Sequence, residues 1–74
     1  MTTSYDASPL RTARLARGLT QLEVAETLGV TQGYIGRVER GELQPSRARM
    51  LELATIYGCS VVDLDPELGV RRGQ

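Results

Sequence analysis

The chain has 74 residues, enough for one domain at most, and a domain this small hides only about 60% of its unfolded surface, so its core must be efficiently patterned. A 41% apolar fraction is too high for a disordered chain, and with tyrosine the only aromatic type, the core must be aliphatic. A single cysteine and no histidine exclude an internal disulfide, a zinc cage of the usual ligands and the usual proton shuttles, and the net charge of zero argues against a ligand held by bulk charge attraction alone.

No apolar run approaches the roughly 20 residues of a bilayer span, and the segment 1–8 is polar, with neither the profile of a signal peptide nor of an anchor. A cytoplasmic protein with no membrane partner is expected. All nine basic residues are arginine. Codon usage in a GC-rich genome is the preferred explanation, and bidentate recognition of phosphate or guanine is the alternative.

The punctuation predicts five short helices and no strand, an all-α compact bundle. Ser8 reads as an N-cap with Pro9 at the first helical position, Leu10, Ala13, Arg14 and Arg17 fall on one stripe, and Gly18 stops the helix. Thr20 and Glu23 form a capping box for a second helix, whose inward face is Val24, Ala25 and Leu28, and Gly29 ends it. Thr31 caps a third helix that turns Ile35 and Val38 inward and runs to Arg40 before Gly41. Pro45 and Ser46 open a fourth, with Met50, Leu53, Ala54 and Tyr57 as its apolar stripe and Gly58 as its stop. Ser60 and Asp63 repeat the capping pattern for a short fifth helix through Leu64, ended by Asp65-Pro66. The domain therefore spans 9–65, between an N-terminal segment 1–8 and a tail 66–74.

The stretch Gln21–Gly41, QLEVAETLGVTQGYIGRVERG, carries the functional signal. Its two helices of about eight residues are joined only by Gly29-Val30-Thr31, a connection too short for antiparallel packing and suited to the steep crossing of a helix-turn-helix. With Ile35 and Val38 inward, Gln32, Gly33, Gly36, Arg37 and Arg40 are expected on the opposite, exposed face. Gln32 has the donor and acceptor pattern for adenine, Arg37 that for guanine O6 and N7, and Thr31 can offer its methyl to a thymine.

This pattern resembles the Xre/Cro helix-turn-helix family, the lambdoid phage repressor-like DNA-binding domains, over about residues 9–65. The resemblance rests on Leu19-Thr20-Gln21, Ala25, Gly29, Thr31-Gln32, Ile35, Glu39-x-Gly41, Pro45-Ser46 and Gly58-x-Ser60. It implies a five-helix fold, no enzymatic activity, no cofactor or metal, and a recognition helix at 31–40 lying in a major groove. The implied base contacts are Thr31, Gln32, Gly33, Gly36 and Arg37. The family also implies that Gln21 contacts a phosphate and braces Gln32.

Tyr34, Arg40, Arg47 and Arg49 are the further phosphate candidates. For Tyr34, packing against a neighbouring helix is the alternative; for Arg47 and Arg49, an ordinary solvated surface is. Arg47 stands where the family often has an apolar residue, and Gly33 where a contacting side chain is common. The two glycines either let the backbone approach the bases closely or mark a weakly optimised face, and they cost the helix about 2 kcal/mol relative to alanine.

Arg14 and Glu39 sit on inward faces of different helices, where opposite charges need each other. One shared, buried ion pair is expected, matching an Arg-Glu pair in the family, with Arg14 a candidate for a phosphate as well. Cys59 reads as core in place of a redox sensor. Val61, Val62, Leu64 and Leu68 form an apolar strip that suggests a two-fold homodimer, a disordered tail being the alternative. The expected function is a transcriptional regulator, a repressor, binding a palindromic operator in double-stranded DNA as a dimer and associated with the nucleoid when bound. The rival is an antitoxin with a toxin as partner, or a protein-interaction module of the same fold.

Overall fold

Every full helix starts on an oxygen that the sequence supplies at its N-cap. In the computed structural model, which describes residues 8–64, the order is α1 (Pro9–Ala16), α2 (Gln21–Leu28), α3 (Gln32–Glu39), α4 (Arg47–Tyr57) and α5 (Val61–Leu64), with no strand among the described residues. Ser8, Thr20, Thr31 and Ser46 each accept a backbone N–H from the residue three positions on. Each such cap contributes about 1 kcal/mol by satisfying a donor that the helix cannot. At α2 the box is reciprocal: Glu23 N–H donates to Thr20 Oγ1 at 3.0 Å, and Thr20 N–H donates to Glu23 Oε1 at 2.8 Å. At α5 the return half of such a box is present: Ser60 N–H donates to Asp63 Oδ2 at 3.2 Å, while Asp63 N–H donates to the Ser60 carbonyl at 3.1 Å.

The ends matter as much for the crossing of α2 and α3. Gly29 sits at φ +77°, a left-handed conformation that costs a residue with a Cβ. This lets the N–H groups of Gly29 and Val30 both turn back to the Ala25 carbonyl, at 2.8 and 2.9 Å. The chain reverses there within three residues, and α3 is laid across α2.

Leu10, Val24, Ala25, Ile35, Val38, Met50, Leu53, Ala54, Tyr57 and Leu64 form one core, drawn from all five helices. Ile35, Leu53 and Val24 are each 1% exposed, so α3 is held by its own apolar side against α2 and α1. At about 25 cal/mol per Å² of apolar surface, that burial is the main stabilising contribution. Cys59 is partly buried against this core, and burial, with Asp63 nearby, pushes its thiol above the ordinary range. A thiol so protonated is a poor nucleophile.

Two expected inward or interface positions are corrected. Arg17 is the C-cap of α1 and exposed, because α1 ends at Ala16 before the stripe reaches it. Its guanidinium lies against Gly58, where an added Cβ would stand 3.2 Å from Nη1. A cation there faces the C-terminal end of α4, where the helix dipole favours it. Leu64 is 3% exposed and belongs to the core, which removes it from any dimer surface. The tail 66–74, with Leu68, lies outside the described residues, as does most of the segment 1–8.

Candidate nucleic-acid interface

The face in question begins with α3. Thr31, Gln32, Gly33, Arg37 and Arg40 are exposed along it, while Ile35, Val38 and Glu39 are buried. Thr31 Oγ1 caps the helix by accepting Tyr34 N–H at 3.1 Å, which leaves its O–H hydrogen and its methyl for a ligand. Gln32 and Arg37 make no hydrogen bond or ion pair with a described residue through their side chains. At the start of α4, Arg47 is exposed and Arg49 half-buried. Tyr34 is half-buried and packs against the core, with the Arg49 guanidinium 5.9 Å from its ring centroid. Arg49 also donates from Nη1 to Glu52 Oε1 at 2.9 Å. These contacts hold Arg49 beside the N-terminal half of α3.

What fixes the face is on the opposite edge of the helix. The structure brings Arg14 and Glu39 together in a two-pronged pair, Nε to Oε2 at 2.6 Å and Nη2 to Oε1 at 3.2 Å, with side-chain exposures of 8% and 4%. Arg14 Nη1 donates to the Leu19 carbonyl at 2.8 Å, so the guanidinium also ties down the loop that leads into α2. The hydrogen bond to Glu39 raises Arg14's pKa. Gln21 completes the network by donating from Nε2 to Glu39 Oε1 at 3.1 Å. One carboxylate thus joins α1, the start of α2 and the end of α3. None of the buried polar side-chain atoms in the described residues lacks a partner.

Three expectations for site residues are changed by this geometry. Gly36 is buried, not exposed: a Cβ there would lie 3.2 Å from Arg40 Nη1 and 3.7 Å from Gln21 Oε1, so side chains from both directions lie over it. It therefore forms no part of the exposed face in this structure. Arg14 is buried with all three guanidinium nitrogens bonded inside the protein, which removes it from the phosphate candidates. Gln21 uses its amide on Glu39 where a brace to Gln32 was expected. The sequence reading also missed Glu42. It pairs with Arg40 two residues earlier, a spacing that does not make neighbours within a helix. Gly41 at φ +78° is the signal that could have found it, since a left-handed residue folds the chain back over the helix end.

Residues 10–64 match the family profile described as Helix-turn-helix. The chain belongs to the Xre/Cro-type helix-turn-helix family, whose members are DNA-binding transcriptional regulators and not enzymes. Among its relatives are two HTH-type transcriptional regulators of Sinorhizobium fredii. It is 44% identical to y4dJ over 54 residues, which is 70% of each chain. It is 30% identical to y4dL over 60 residues, 81% of this chain but only 31% of that longer protein. To the HTH-type transcriptional regulator YazB of Bacillus subtilis it is 33% identical over 57 residues, 77% of this chain and 83% of the relative. No solved structure gives a significant match. In this family setting α2 and α3 are the helix-turn-helix, and no helix among the described residues is long and apolar enough to cross a membrane.

Proposed function

We propose that the protein is a cytoplasmic transcriptional repressor that binds an operator in double-stranded DNA, with α3 in the major groove. The observation that carries this reading is the two-sidedness of α3: its inner edge is locked by Ile35, Val38 and Glu39, and its outer face presents Gln32 and Arg37 with no internal partner. Side chains held on a rigid helix, with their hydrogen-bonding groups unengaged, are what base-edge recognition in the major groove requires. Gln32 reads adenine and Arg37 guanine; Thr31 and Gly33 lie against the bases. Gln21, Tyr34, Arg40, Arg47 and Arg49 flank that face and serve the DNA backbone.

A palindromic operator follows from a two-fold dimer, whose recognition helices would enter successive major grooves about 34 Å apart. Val62 is 38% exposed and Val61 half-buried on α5, which supports a dimer contact there. Selection of bound sequences from a random duplex pool tests the whole reading. An inverted repeat with half-sites one helical turn apart is the expected result, and no enrichment overturns it. The neutral net charge favours a second reading, an antitoxin or protein-interaction module, for which the pool would stay unenriched while a toxin-like protein co-purifies.

A further inference from the structure

Arg40 is the basic residue nearest the C-terminal end of the α3 reading face, and two features hold its guanidinium close to the helix. Glu42 grips it from one side, Nε to Oε2 at 3.0 Å and Nη2 to Oε1 at 3.2 Å. Gly36 makes room on the other, because any Cβ there would meet Nη1 at 3.2 Å. The Glu42 N–H donates to the Arg37 carbonyl at 2.9 Å, so the carboxylate is anchored by its own backbone to the helix it covers. Both arginines act on it: the Arg40 hydrogen bond first, and the nearby charge of Arg37, hold its carboxyl below the ordinary range. A negative charge thus lies against a cation that the DNA-binding reading assigns to the backbone.

We propose that Glu42 is a built-in competitor for the DNA backbone, occupying Arg40 in the free protein and giving it up to a phosphate on binding. The inference rests on the DNA-binding reading above. The pair is suited to exchange, because its side chains are 47% and 53% exposed and an ion pair in water is weak. A phosphate offers Arg40 the same two-pronged geometry with release of counterions from the duplex. The consequence is a domain whose attraction to DNA in general is held down, since the Glu42 carboxylate offsets the charge of one of the cations flanking the reading face. Recognition then leans on the base contacts of Gln32 and Arg37.

The test uses the full chain and a labelled mixed-sequence duplex of 24 base pairs, titrated by fluorescence anisotropy at low salt. Glu42→Gln keeps the shape of the side chain and removes its charge, and it should tighten binding by about 3- to 10-fold. Arg40→Gln should weaken it. In the double variant R40Q/E42Q the gain from the glutamine should vanish, because there is no longer an arginine to release. Thermal unfolding should be nearly unchanged in all three, as the pair is exposed. If E42Q binds no more tightly than the parent, or if its gain survives in the R40Q background as a general charge effect, the proposal is overturned. If the parent chain binds no duplex at any salt concentration, it falls together with the reading on which it rests.

Discussion

Glu39 and Arg40 are neighbours at the end of α3, yet they belong to ion pairs of different kinds. Glu39 reaches inward to Arg14, and the two side chains retain 4% and 8% of their exposure; Arg40 reaches outward to Glu42, and theirs retain 47% and 53%. The distances overlap, but the surroundings do not. Away from water, each partner of the inner pair would be left as an uncompensated charge if the other were removed, so the pair is rigid and structural. In water the outer pair gains little by existing and loses little by breaking. Two adjacent residues therefore divide the labour of one helix: one fixes its position, the other holds a pair that water weakens.

The comparison breaks most visibly at the inner pair. Glu39→Leu should cost about 3–5 kcal/mol, because Arg14 stays buried without its counterion. For a domain of this size that approaches the whole stability. Adding Arg14→Met should restore most of the loss, though not all, since the Leu19 carbonyl and the Gln21 amide also lose a partner. Urea unfolding followed by circular dichroism measures both variants. Equal destabilisation by the single and the double substitution would mean that packing, not charge, holds this edge of α3.

On the outer face the same helix should respond in binding far more than in stability. Arg37→Ala is expected to cost about 1–3 kcal/mol of operator affinity and to relax preference at one base pair. Its melting temperature should fall only slightly, as the side chain is exposed and makes no ion pair with a described residue, and only its place in the last turn of α3 favours its charge. Uniform weakening on all duplexes would move Arg37 from base reading to backbone contact.

How much of this was legible follows from the range of the interactions. The caps are local, each a side chain and a backbone group three residues apart, and Thr20-Glu23 and Ser60-Asp63 can be read directly from spacing. The stripe Met50, Leu53, Ala54, Tyr57 is legible because α4 is long enough for its period to show. Gly36 was misplaced for the opposite reason. It lacks a side chain of its own, and it is covered by Gln21 and Arg40, whose conformations depend on Glu39 and Glu42. Helical periodicity assigns a direction to a position but not the side chains that fold over it. Leu64 was misread because a four-residue helix has no period to analyse.

Alkaline titration probes the buried side in a second way. Tyr57 is pushed up to about 12, by burial first and by the Glu39 carboxylate next, with Arg14 opposing. The folded protein thus holds the phenolic proton more tightly than the unfolded chain, in which a tyrosine titrates near 10. The associated stability is complete below pH 10 and is lost as the pH rises to about 12. The Cys59 thiol is raised as well and adds to the decline. Tyr57→Phe should flatten the fall above pH 10 and leave the part due to Cys59. An unaltered fall would mean that ionisation of Tyr57 does not drive the alkaline loss.

The smallest effect is expected at Arg47, where the two sides of the comparison act on one residue. Arg47 is the first residue of α4, exposed, and a positive charge there opposes the helix dipole. Replacing it by alanine should therefore raise stability by about 0.3–1 kcal/mol at low salt, an effect that fades as salt screens the charge. If the DNA backbone passes this helix end, the same change should weaken binding to every duplex and reduce the slope of log affinity against log salt by roughly one. Stability and binding would then move in opposite directions under a single substitution. A residue that merely decorates the surface has no reason to couple them, so a gain in stability with the salt slope unmoved would take Arg47 off the DNA-facing side of the molecule.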